Sequence, residues 1–597
     1  MNREQRRKAA SNKGKESQKM FAQGNNLPSD MLSYALSLHK SGQVARARDV
    51  YEKILESEPK NPKVLNALGL LKAQMGDDVG AIRLISAAVS IEPNNVGYLN
   101  NLGNMHRQAL QLDEAIECYQ RALEINPDSA DSHFNRGIAL TEKGMVTEAI
   151  PAFFQALAAN PRHPRAHVAL GDLLQEQGLL EDAIASYQKG LSIQPNFFEG
   201  LTSLGMALYR KGDLRGAQAA YERALAINPY SIEALSNIGA VFYEQGRIKI
   251  ADACYREVIN LAPTNADAHI NLGFLLSQQG KDEEAAACYK RALEQDPKSL
   301  KAMTGLAQSL ASGCKWKEAI ELYRRILEID PKSADARAAL GIALRAVGDI
   351  NGASAEFEQA RQIAPKHIKA YAHLGLALQD LGKAESALSI FDYSGLVAKY
   401  QVANVEGWES LSAYNAELRN YIYNHPTLLE NRPGKPLNKG RQTHEIFNDK
   451  ERAIAALRPI IDTHLGDYLN HCAANSKHGF FAEPPSAWSL SGWAVVLAPE
   501  GFQKSHIHPE SFVSGVYYIE VPDAVRQNER GEGNLNFGEL FPTVAEQEKI
   551  EKYTVKPESG LLVLFPSYFW HSTIPFAGEK DRVCISFNVI PTSTKNG

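Results

Sequence analysis

Cysteine is scarce: six in 597 residues cannot make a disulfide scaffold. Long hydrophobic runs are missing too. The most apolar stretch, Gly560 to Trp570, is far too short to span a bilayer and contains Pro566. No charge of one sign dominates, since 64 Lys plus Arg face 69 Asp plus Glu for a formal net charge of −5. Such a balance makes no global case for nucleic acid or an acidic membrane as partner. Residues 1–20 lack the apolar segment of a signal peptide. These absences leave a soluble, cytoplasmic chain, 22% charged and 44% hydrophobic, whose length alone implies about four domains.

What the chain does have is a period. Ten prolines from Pro59 to Pro365 recur at nine successive intervals of 34. The same register runs alanine from Ala47 to Ala387 without a gap. It runs glycine from Gly69 to Gly375, with Ala307 filling the one gap and Ala35 standing ahead of it. Each unit reads as two apolar helical segments around a Gly-containing turn, with the small residues where the helices cross. The proline follows the second segment, where it cannot continue a helix. One such pair buries only part of its apolar face, so pairs must stack. Period and small-residue pattern resemble the tetratricopeptide repeat, which implies an all-α superhelical solenoid of eleven units over residues 28–401. The last unit has Lys399 in place of proline and is expected to run on into the next domain. Cys118, Cys254 and Cys288 share one repeat position, too far apart for disulfides.

Residues 1–27 form a basic tail, with seven basic and two acidic residues through Lys19. It reads as disordered and solubilising, with contact to RNA, lipid or an acidic partner as the other reading. Past the repeats, residues 402–480 read as a helical linker and accessory helices. The first helix carries Trp408, Leu411, Tyr414, Leu418 and Ile422, and Glu430 to Gly440 reads as a loop. From residue 481 strands take over: Trp488–Ala498, Phe512–Glu520, Asn534–Phe537, Leu561–Phe565 and Val583–Ile590. Their β-branched and aromatic content predicts a compact antiparallel barrel or double sheet over 481–597.

Three histidines are placed like ligands. His506 and His508 stand two apart before a strand, which puts both imidazoles on one side of an extended segment. His571 ends the apolar strand that closes on Phe565-Pro566. Eleven residues later Arg582 opens the next strand, where a buried guanidinium calls for an anion. One histidine on a strand is ordinarily structural; the combination is what reads as a site. This order resembles the iron(II)- and 2-oxoglutarate-dependent oxygenases, nearest to a bacterial and phage subfamily with a His-x-His-Pro and Ser-Gly-Val-Tyr-Tyr segment.

That resemblance covers about residues 405–595 and implies an α+β double-stranded β-helix of the jelly-roll, cupin-like kind. It implies a facial set of iron ligands with open positions for 2-oxoglutarate and molecular oxygen. His506 would be the first ligand and His571 the distal one. Arg582 would grip the far carboxylate of 2-oxoglutarate, helped by Tyr518 and Ser586. The superfamily usually has a carboxylate where His508 stands. Either His506, His508 and His571 form a three-histidine site, which the subfamily favours, or His508 and Glu510 supply the His-x-carboxylate pair. Both readings keep His508 and His571.

Asn101, Asn135, Asn237 and Asn271 share one position on the first helix of their units. They resemble the asparagine ladder of repeat arms that grip extended peptides, since an amide can pair with both backbone N–H and C=O. The expected function is therefore a hydroxylase acting on a protein or peptide held in the concave face of the repeats. The other readings are a repeat scaffold with a metal-binding barrel that lacks turnover, and a small-molecule oxygenase whose repeats serve assembly.

Overall fold

The computed structural model describes residues 28–430, 437–475, 479–538 and 552–592, so the basic tail lies outside the described residues. Helix pairs begin with Pro28–Lys40 and Val44–Ser57 and end with Ile368–Asp380 and Ala384–Ile390, eleven pairs among the described residues. None of the described helices is long and apolar enough to cross a membrane.

The small residues of the register sit where the sequence placed them. Ala47, Ala115, Ala183 and Ala251 are fully buried. A Cβ on Gly103 would lie 2.6 Å from the Tyr119 ring, and one on Gly205 would lie 2.7 Å from the Tyr221 ring. Glycine there lets the aromatic side chain of the second helix lie on the first helix backbone. First helices start on side-chain caps: Asn95 accepts from the backbone N–H groups of Gly97 and Tyr98, and Ser231 accepts from that of Ala234.

The turn inside each pair carries a left-handed residue. Nine of these are glycines, from Gly42 to Gly382, with φ between 71° and 87°; the other two are Leu110 and Cys314, each at φ 58°. A side chain in that conformation costs about 1–2 kcal/mol, and Leu110 recovers little by packing because it is 83% exposed. Leu110→Gly is therefore expected to stabilise the repeats by about 1 kcal/mol. Urea unfolding would measure it, and a lower midpoint would refute the strain.

The chain forms two compact units that divide between Ala268 and His269. The second holds the last repeats together with the sheets. After Ala384–Ile390 and the turn Tyr393–Leu396, the chain enters β1 (Ala398–Gln401), with Lys399 in the strand rather than a helix-stopping proline. The remaining strands are β2 (Leu429–Glu430), β3 (Leu437–Gln442), β4 (Trp488–Gln503), β5 (Val513–Glu520), β6 (Leu535–Phe537), β7 (Tyr553–Val555), β8 (Leu561–Pro566), β9 (His571–Thr573) and β10 (Arg582–Pro591).

Seven strands make one antiparallel sheet in the order β1-β8-β5-β10-β4-β3-β2, and three make a second in the order β7-β6-β9. This is the jelly-roll double sheet that the strand pattern predicted. The short strands β2, β7 and β9 were not in the sequence reading, and two further details differ from it. Leu437–Gln442, whose first four residues fall in the stretch Glu430 to Gly440 read as loop, is a strand because it pairs along β4 despite its polar sequence. β1 belongs by hydrogen bonding to the sheet although it completes the last repeat. Helix Leu411–Tyr423 lies between β1 and β2 in sequence and helix Arg452–Asn475 between β3 and β4; Tyr414 on the first donates its hydroxyl to the Ala453 carbonyl on the second.

Candidate metal centre

Two of the three histidines are joined through the backbone. His506 and His571 exchange both main-chain hydrogen bonds, at 3.0 and 3.1 Å, as an isolated antiparallel bridge. Opposed residues in such a pair send their side chains the same way, and the two ring centroids lie 4.3 Å apart. His508, two residues on, faces the same space and anchors its N–H on the Ser567 carbonyl at 3.0 Å. One ligand atom from each of the three lies within 4.8 Å of the others.

Main-chain carbonyls set the ring protons. His506 Nδ1 lies 2.7 Å from the Lys504 carbonyl and His571 Nδ1 lies 2.9 Å from the Phe569 carbonyl. A carbonyl can only accept, so each Nδ1 carries the proton and each Nε2 the lone pair. His571 is 6% exposed. Burial, then the neighbouring His506 and His508, hold its pKa well below the usual imidazole value. His571 is thus held as a neutral nitrogen donor, the form that binds a divalent transition metal. Trp493 on β4 stacks against His508 at 5.8 Å, and Phe565 walls the His571 ring edge-on at 4.8 Å.

Arg582, 1% exposed, opens β10 and lines the same cleft. One guanidinium nitrogen donates to the Gly533 carbonyl, while Nε is buried with no partner. Among the described residues no carboxylate forms an ion pair with it. A buried cation left in this condition fits a missing anion. Its guanidinium carbon stands 5.7 Å from the centre of the Tyr518 ring. Burial raises the Tyr518 phenol, with Arg582 opposing that shift. Arg582, Cys584 and Ser586 alternate along β10, so all three face the cleft, with Val516 and Tyr518 opposite on β5.

The structure thus brings His506, His508, His571, Arg582, Tyr518 and Ser586 to one cleft. Glu510 is exposed and stands outside the group of three histidines. Cys584, not among the site residues singled out from sequence, lines the cleft beside Arg582; the alternation from Arg582 was the signal that would have found it. Trp493 had no such signal, because its place over His508 depends on the β4–β10 register. The four asparagines are half-buried on the first helices of their pairs. Asn101 donates to the Asn66 side chain at 3.0 Å, which ties it to the preceding repeat.

Comparison with known proteins agrees with this geometry. The family described as "Putative 2OG-Fe(II) oxygenase" matches residues 491–588, a span that contains every residue of the cleft named above. Two tetratricopeptide-repeat families match residues 103–144 and 35–96, and the "Cilia and flagella-associated protein 70 C-terminal domain" family matches 136–375. No curated protein matches the chain. Among solved structures, MamA is 28% identical and covers 28% of this chain and 96% of its own, with a TM-score of 0.26. YrrB is 22% identical over 31% of this chain and 95% of its own, with a TM-score of 0.28. The Cut9–Hcn1 hetero-tetramer of APC/C is 14% identical over 63% of this chain and 94% of its own, with a TM-score of 0.35.

Proposed function

We propose, for a chain that carries tetratricopeptide repeats and a C-terminal 2OG-Fe(II) oxygenase domain, an iron(II)- and 2-oxoglutarate-dependent hydroxylase acting on a protein substrate. The observation that carries this reading is the buried guanidinium of Arg582, its Nε without a partner, in the same cleft as three clustered imidazoles. His506, His508 and His571 hold the metal. Arg582 binds the far carboxylate of 2-oxoglutarate through its unpaired Nε edge, with Tyr518 and Ser586 beside it. Bound iron(II) supplies oxidation by molecular oxygen, in which 2-oxoglutarate becomes succinate and carbon dioxide and a substrate C–H becomes C–OH.

This chain's own contribution is orientation and dryness. The Lys504 and Phe569 carbonyls aim two of the imidazoles, and Trp493 and Phe565 keep water from the ring faces. The repeats recruit the substrate, and the half-buried amides of Asn101, Asn135, Asn237 and Asn271 are the groups that read an extended backbone. Six free thiols fit a reducing, cytoplasmic setting.

Purified protein with iron(II) should release succinate from 2-oxoglutarate, faster when its protein substrate is added. Partners captured on an inactive His571 variant should gain one oxygen atom on incubation with the wild type. A protein that binds no iron(II) and releases no succinate would sink the enzyme reading. Succinate release that a small molecule alone stimulates would sink the protein-substrate part.

A further inference from the structure

Each of the three residues before His571 is seated on the last repeat, on its helix pair or on the segment Phe391–Tyr393 that follows it. Tyr568 donates its hydroxyl to the Ile390 carbonyl at 3.1 Å and stacks on Tyr371 at 5.2 Å. Phe569, fully buried, meets the Tyr393 ring edge-on at 4.8 Å and the Phe391 ring at 6.3 Å. Trp570 donates its indole N–H to the Ala372 carbonyl at 3.4 Å and lies edge-on to His373 at 5.6 Å. β1, which continues the same repeat, pairs along β8, the strand that leads into this segment. All of these residues lie in the compact unit that begins at His269.

The middle residue of the three matters most. Phe569 supplies the carbonyl that accepts the His571 Nδ1 proton. A group in that role fixes both the tautomer and the plane of a ligand imidazole. Its main chain can hold that plane only while its side chain stays in place, and that side chain is clamped by residues of the repeat. Close-packed aromatic contacts pass such constraints on because they leave no slack to absorb a shift.

We propose that the last tetratricopeptide unit is a positioning element of the metal centre: Tyr393 and Phe391 hold Phe569, Phe569 aims His571, and metal affinity depends on the repeat. This rests on His571 being a ligand. It gives the repeats a second task besides recruitment, and it makes Tyr393 a positioning residue that touches neither metal nor substrate.

The test uses the full chain and the metal alone. Anaerobic titration with iron(II), with the visible spectrum of cobalt(II) as a geometric probe, compares wild type with Tyr393→Ala and Tyr393→Phe. Tyr393→Ala should weaken metal binding by about 10- to 100-fold and alter the cobalt spectrum, and Tyr393→Phe should restore both. Tyr323→Ala removes a buried tyrosine from an earlier repeat of the same unit. It should lower the melting temperature without changing metal affinity. Should Tyr393→Ala fail to fold by circular dichroism, Trp570→Phe keeps an aromatic ring, loses the Ala372 hydrogen bond, and should weaken binding several-fold. Wild-type affinity in the folded Tyr393→Ala, or in Trp570→Phe where that variant stands in, would overturn the proposal. An equal loss in Tyr323→Ala would overturn it too. Absence of metal binding in the wild type would instead overturn the ligand assignment.

Discussion

The variant His571→Ala is expected to bind no iron(II) and to release no succinate, while keeping the helical content of the wild type. Its ring is one of three donors and the most buried of them. The remaining two stand two residues apart on one segment, without the opposing strand that closes the site. The loss should also appear without any turnover. Metal at about 100 times its Kd stabilises the wild type by about 2.7 kcal/mol, a rise of about 5–11 °C in Tm for a domain of roughly 200 residues. No metal-dependent rise should remain in His571→Ala. The same measurement decides the ligand set. His506→Ala should lose the shift, whereas Glu510→Ala should keep it, because Glu510 is exposed and outside the cluster. The reverse pattern would restore the His508–Glu510 pair.

Arg582→Met should raise the KM for 2-oxoglutarate by at least about 100-fold and leave metal-dependent stabilisation in place. Two charge-assisted hydrogen bonds to a carboxylate carry the effect, each worth about 1.5–3 kcal/mol. The stability of the ligand-free protein separates this role from a structural one. An arginine in a buried ion pair costs about 3–5 kcal/mol to remove, because its partner is left uncompensated. Arg582 has no ion-pair partner among the described residues, and its Nε is already unpaired. The substitution gives up one hydrogen bond to the Gly533 carbonyl and relieves a buried charge. The net change should stay within about 1 kcal/mol. An unfolding midpoint that collapses in Arg582→Met, with KM unchanged, would show that the guanidinium serves the fold alone.

Much of this protein was legible before any coordinates. The period of 34 predicted the eleven helix pairs because the interactions behind it are local. A glycine under an aromatic ring and a left-handed turn are both settled within one unit, as Gly103 with Tyr119 shows. The exceptions at Leu110 and Cys314 show the same locality, since the turn imposes its conformation on whatever residue occupies it. Five strands were readable from β-branched and aromatic runs. The strand Leu437–Gln442 was not, because its pairing along β4 is written in the partner and not in its own polar sequence.

The candidate site divides the same way. Residue type, alternation and the order of the motifs singled out His506, His508, His571 and Arg582. Only the tertiary structure decided that Glu510 stands apart, that Cys584 and Trp493 share the cleft, and that Arg582 has an unpaired edge. It also decided that the last repeat reaches the distal histidine, through Tyr393 on Phe569 and through Ala398 paired with Leu564. The physical reason is distance along the chain. Helix pairs bury their faces against neighbours about 34 residues away, so a sequence window contains the whole interaction. Sheet pairing, imidazole planes and buried charges are fixed by partners far apart in sequence, and no window contains both sides.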